Sequence, residues 1–216
     1  MRYRFRLAAC VVAVVLSTPT AHPAGAAMAT IETPAARFHR IALAAVTLDQ
    51  IMAALRSVHH VDARYIERRY LHALRAPIET RGSLRFDAPD HLEKATDPMA
   101  NGPADRLTIN GNQLTIDRGT AAPLVLALNE HPEIGVLVDS IRATLAGDGS
   151  ALQRTFDVTP SGMLDEWQLV LRPRDVRQRA LLQWMRIGGH GERITAIATQ
   201  DGEGDRSEMS IVELHP

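Results

Sequence analysis

The chain has 216 residues, 45% of them apolar, with 24 basic and 25 acidic residues and a net charge of −1. That is long and apolar enough for one domain with a sizeable core. The balanced, scattered charge excludes the usual basic footprint of a nucleic-acid binder, and a single cysteine excludes a disulfide scaffold.

The first residues read as an export signal. Arg2, Arg4 and Arg6 form a basic start, Leu7 to Leu16 an apolar run, and Ala24-Gly25-Ala26-Ala27 a stretch of small residues for cleavage. A run this short cannot span a bilayer, which takes roughly 20 apolar residues. Leu7-Ala8-Ala9-Cys10 matches the letters of a lipoprotein cleavage box, but Val11 to Leu16 follow the cysteine, whereas such a box follows the apolar run. The expectation is a signal peptide over 1–26, cleaved before Ala27 or Met28, and a periplasmic mature protein without a thiol. Residues 27–46 are alanine-rich and weakly patterned and give no element. The domain is expected over 47–216.

A helix is predicted over 48–58. Thr47 and Gln50 stand at capping-box spacing, and Leu48, Ile51, Met52 and Leu55 share one face. Strands are expected over 63–74 and 78–87; in the second, Ile78, Thr80, Gly82, Leu84 and Phe86 alternate with mostly charged residues. Asn110-Gly111 suggests a hairpin turn over 105–117. That turn pairs Ile109 with Asn112 and Leu107 with Leu114, and puts Leu107, Ile109, Leu114 and Ile116 on one surface. A second helix, opened at Asn129 or His131 with Pro132 in its first turn, carries the stripe Ile134, Leu137, Val138, Ile141 and Leu145 and stops at Gly147. Strands follow over 155–159, 166–172, 180–187, 192–200 and 206–214, with Gly188-Gly189 and Gly202-Glu203-Gly204 as tight connections. Helix, strands, helix, strands with hairpin-length links imply an antiparallel α+β fold.

Catalytic signatures are missing from this pattern: there is no Gly-x-Ser-x-Gly, no His-Glu-x-x-His and no phosphate-binding loop. His59-His60 with Asp62 is a poor metal site, since adjacent histidines point apart. Asp201, Glu203 and Asp205 have calcium-loop spacing, but Arg206 stands where the loop needs glycine and Val212 where it needs glutamate. Neither a metal, nor a cofactor, nor enzymatic activity is expected. On pattern alone, the apolar faces either bury one another as a core or enclose a cavity.

Residues 48–214 resemble the LolA family of periplasmic outer-membrane lipoprotein carriers, in its more divergent LolA-like branch. The segments that carry the resemblance occur in the family's order. They are the opening amphipathic helix, Pro77-Ile78-Glu79-Thr80-Arg81-Gly82-Ser83-Leu84-Arg85-Phe86-Asp87-Ala88-Pro89, the Leu107-to-Leu114 hairpin, the helix ending Leu145-Ala146-Gly147-Asp148, the Trp167-to-Pro173 strand, and Gly204-Asp205-Arg206-Ser207-Glu208-Met209.

The resemblance implies a half-open barrel of about ten or eleven strongly curved antiparallel strands, with helices as a lid over an apolar concave face. It implies acyl cargo, a lipoprotein or another lipid, taken from an inner-membrane transporter and handed to an outer-membrane acceptor. Leu84, Phe86, Leu107, Ile109, Leu114 and Ile116 then face the cavity, and Ile134, Leu137, Val138 and Ile141 belong to the lid. Typical members place an arginine just before the proline that ends the second strand, where it ties the lid shut. Here that residue is Ala88, and Arg85 and Arg81 are the neighbouring cations. A lipid sensor of the same fold and a periplasmic hydrolase stand as alternatives.

Overall fold

The computed structural model describes residues 45–98, 104–119 and 121–214, so the expected signal and nearly all of 27–46 lie outside the described residues. Among the described residues, eleven strands form one antiparallel, curved and unclosed sheet. Two meanders build it. β1 (His60–Tyr70), β2 (Ile78–Asp87), β3 (His91–Thr96), β4 (Asp105–Asn110), β5 (Gln113–Asp117) and β6 (Leu124–Ala127) run outward to one edge. β7 (Phe156–Met163), β8 (Glu166–Pro173), β9 (Trp184–His190), β10 (Arg193–Gln200) and β11 (Arg206–Glu213) run inward from the other, and β11 pairs with β1.

This topology dictates what covers the sheet. After β6 the chain stands at one edge and must begin again at the other. The link holds a 3-10 turn (Leu128–Glu130), α2 (Pro132–Leu145) and α3 (Gly149–Thr155). Its apolar stripe sends α2 across the concave face, and at 1.5 Å per residue its 14 residues reach about 21 Å. α1 (Leu48–Leu55) precedes the sheet, and one turn, α4 (Val176–Arg179), lies between β8 and β9.

Local chemistry accounts for the helix ends. Thr47 accepts from the Gln50 backbone N–H while the Gln50 side chain accepts from the Thr47 backbone, the full capping box. α2 opens at Pro132 and ends in a Schellman motif, with Gly147 N–H donating to the Thr144 carbonyl (3.0 Å) and Asp148 N–H to Ala143 (2.8 Å). α1 ends at Leu55 rather than 58, and β1 begins at His60 and ends at Tyr70, shifted from the expected 63–74.

The β4–β5 register differs from the expectation. Ile109 pairs with Leu114 and Leu107 with Ile116, because Gly111-Asn112 form the two-residue loop. Gly111 has φ of 54° and Asn112 does not share a positive φ, as suits a loop with glycine first. The shift is two residues along the strand, so the inward set keeps its face. Gly188 and Gly189 lie inside β9, and Gly191-Glu192 make the turn. A Cβ on Gly189 would sit 2.2 Å from the Trp167 ring, so the glycine is room for an indole. The β3 and β6 strands and the short α3 and α4 helices were not expected from the sequence.

Two apolar clusters result. The larger joins α1, α3 and strands β7 to β9 around Ile51, Met52, Leu55, Trp167, Leu169 and Leu171, all nearly inaccessible. The smaller joins the β4–β5 hairpin to α2 through Ile109, Leu114, Leu128, Ile134 and Val138.

Candidate functional site

Between the two clusters, under α2, lies a cavity of about 220 Å³ lined mainly by apolar side chains. Alternation in β2 turns Leu84 and Phe86 inward, β4 and β5 contribute Leu107, Ile109 and Leu114, and α2 presents Ile134, Leu137, Val138 and Ile141 from above. Nine of the ten residues named from the sequence therefore line one space. Ile116 does not: opposite Leu107 and next to β6, it packs against the smaller cluster.

The walls are unequal in tightness. Leu114 and Val138 are buried as core residues are, while Leu84, Leu107 and Ile141 are half-buried. Part of the surface is thus ordinary packing and part is open wall.

Sequence reasoning missed a polar row on the inner face. Glu67 of β1 is 4% exposed and lines the cavity. Its carboxylate accepts from Lys94 Nζ (2.5 Å) and from Ser207 Oγ (2.6 Å). Burial pushes the Glu67 carboxyl up, but Lys94 and Ser207 outweigh it and hold the group below its ordinary range. Lys94 also stands 5.0 Å from the centre of the Tyr65 ring. The ring lies across Gly82, where a Cβ would meet it at 2.8 Å, and its hydroxyl is 2.8 Å from Thr96 Oγ1. Burial raises the Tyr65 phenol. Thr199, paired with Ser207 across β10 and β11, completes the row. The signal was present in β1, where Val61, Ala63, Tyr65 and Glu67 alternate, putting a carboxylate at an inward position.

Arg85, Glu93, Glu192 and Glu213 also border the cavity, and the remaining charges are not part of its wall. Arg85 forks onto Asp62 (2.9 and 3.2 Å) and Arg81 pairs with Glu79 (2.8 Å), so neither neighbouring cation reaches the lid. The lid supplies its own arginine. Arg142 of α2 donates to the Gly111 carbonyl and to the Asp90 carbonyl (3.3 Å), at the turns that join β4 to β5 and β2 to β3. His60 bridges Asp87 (2.5 Å) and Asp62 (3.2 Å), and His72 Nδ1 meets Asp205 Oδ1 at 2.6 Å. Among the described residues no three His, Cys, Asp or Glu side chains gather as a metal site. Asp201 accepts from the Glu203 and Asp205 backbone N–H groups, which makes the acidic loop a hydrogen-bonded turn.

Residues 41–211 match the family model described as outer membrane lipoprotein carrier protein LolA-like. None of the curated proteins compared matches the chain. Among solved structures, a LolA superfamily protein from Nitrosomonas europaea is similar at 12% identity and a TM-score of 0.42, covering 79% of this chain and 94% of its own. A putative outer membrane lipoprotein-sorting protein domain from Vibrio parahaemolyticus is similar at 10% identity and a TM-score of 0.43, covering 77% and 90%. With its curved, unclosed sheet under a helical cover, and a family match that spans most of its length, the chain belongs to the LolA-like family of outer membrane lipoprotein carrier proteins.

Proposed function

We propose that the chain is a periplasmic carrier that shelters acyl chains of a lipoprotein or another lipid and ferries them from an inner-membrane donor to an outer-membrane acceptor. The cavity carries this reading, because one apolar space is walled by the sheet on one side and by a separate helix on the other. Each buried methylene is worth about 0.8 kcal/mol, so an acyl chain of some 14 methylenes resists crossing water by roughly 11 kcal/mol. A carrier must supply that shelter and still release its cargo. Apolar contact under a movable cover does both, since it is strong in sum and holds no single anchor.

The cavity, open along part of its wall, is smaller than the roughly 300–1,000 Å³ of ordinary ligand pockets. Loading therefore requires α2 to move outward. Family membership supports the cargo class, and the basic and apolar start of the sequence supports export. The test is equilibrium binding of a fluorescent fatty-acyl probe to the mature protein, alongside native mass spectrometry of protein taken from its own periplasm. Saturable probe binding and a co-purified acylated species are expected. A protein that binds no probe and carries nothing overturns the reading.

A further inference from the structure

We propose that the cavity also recognises the polar group next to the acyl chain, and that this group is an uncharged carbonyl, of an ester or an amide, received by Thr199 and Lys94. The proposal deepens the carrier reading and rests on it. Thr199 is 6% exposed, lines the cavity, and its Oγ1 is buried without a hydrogen-bond partner among the described residues. A buried hydroxyl left unmade costs free energy that a bound acceptor would return. Lys94, also on the cavity wall, spends one of its three N–H donors on Glu67 and leaves two. Its side chain keeps 26% exposure, so the ammonium remains within reach of a ligand.

Charge selects which acceptor fits. Glu67 already neutralises Lys94. A free carboxylate entering the row would add a second anion beside a buried one, and the two would have to share the cations that already hold Glu67, Lys94 first and Arg69 after it. An ester or amide oxygen accepts the same hydrogen bonds without that penalty. The apolar side chains take the chain, and the row across β3, β1, β11 and β10 takes the link that joins it to the rest of the cargo.

The experiment uses four competitors of equal chain length, an alkane, a methyl ester, an N-methyl amide and a free acid, displacing a fluorescent apolar probe from the mature protein at pH 7. Ester or amide should compete about tenfold better than the alkane, and the better of the two identifies the linkage. The free acid should show no such advantage. Thr199→Val keeps shape and should lose most of the carbonyl advantage, read as the ratio of ester to alkane competition within the same variant so that any change in the apolar wall cancels. Glu67→Gln frees the Lys94 charge and should turn the preference toward the free acid. Equal competition by alkane, ester and amide in the wild type overturns the proposal and leaves the carrier reading standing, as does an ester advantage that survives in Thr199→Val. A wild type that binds no apolar probe removes both.

Discussion

Gly147 shows how much can hang on one missing Cβ. Its φ is 62°, and a side chain there would meet the Met52 carbonyl oxygen at 2.3 Å, where α2 ends against α1. Arg56 donates to the Gly147 carbonyl at 2.9 Å across the same contact. Gly147→Ala combines left-handed strain with a backbone clash and should cost more than about 1–2 kcal/mol in urea melts. The two histidines act in the opposite register, at the surface. Hydrogen bonds donated to Asp87 and then to Asp62 raise His60, and one donated to Asp205 raises His72. A raised folded pKa stabilises the fold fully below the unfolded value near 6.5, and that share fades as pH climbs through the folded value. Melting temperature should therefore decline slightly from pH 6 upward, and His60→Gln with His72→Gln should flatten the slope. Asp62, lowered by Arg85 first, works the other way and loses its share on acidification.

At the level of elements, α2 is both cover and core, and substitutions should separate the two roles. Leu114, 1% exposed, should cost about 2–5 kcal/mol when cut to alanine. Leu107, half-buried on the same face, should cost clearly less yet weaken acyl-probe binding. Val138→Glu places a carboxylate in the smaller cluster and should nearly abolish binding, because its desolvation opposes closure. Arg142→Met removes the charged hydrogen bonds from α2 to the two turns. Faster amide exchange over 132–145, with exchange in β8 unchanged, is the expected result. Which elements could be read in advance follows from how local their causes are. Thr47 and Gln50 cap within three residues, and the inward parity of Leu107, Ile109, Leu114 and Ile116 needs only alternation. The β3 strand was hidden because its inward residues, Leu92, Lys94 and Thr96, include a charge whose partner sits on β1. Gly189 looked like a turn because the ring it accommodates is more than twenty positions away in sequence. The register of β4 on β5 turned on which residue of Asn110-Gly111-Asn112 opens the loop, which composition does not decide.

For the molecule as a whole, the sheet is two meanders that meet at one seam, β1 on β11, and every other strand pair joins sequence neighbours. Removing residues 206–214 would therefore not trim an edge. It would take from β1 and β10 the strand that joins them and split the sheet in two, and the truncated chain is expected to show no cooperative melt. The seam also has a kinetic meaning. Ser207 and Glu67, hydrogen-bonded across it, are 140 positions apart, and closing so long a loop costs about 4 kcal/mol of chain entropy. Hairpins on either side need no such closure, so the two halves are expected to form first and dock late. Seam substitutions such as Ile211→Ala should then speed unfolding and barely slow folding in chevron plots. Until docking, the inner wall is split between two fragments. The binding space thus comes into being only in the last step of folding, and a half-made chain has nowhere to hold a lipid.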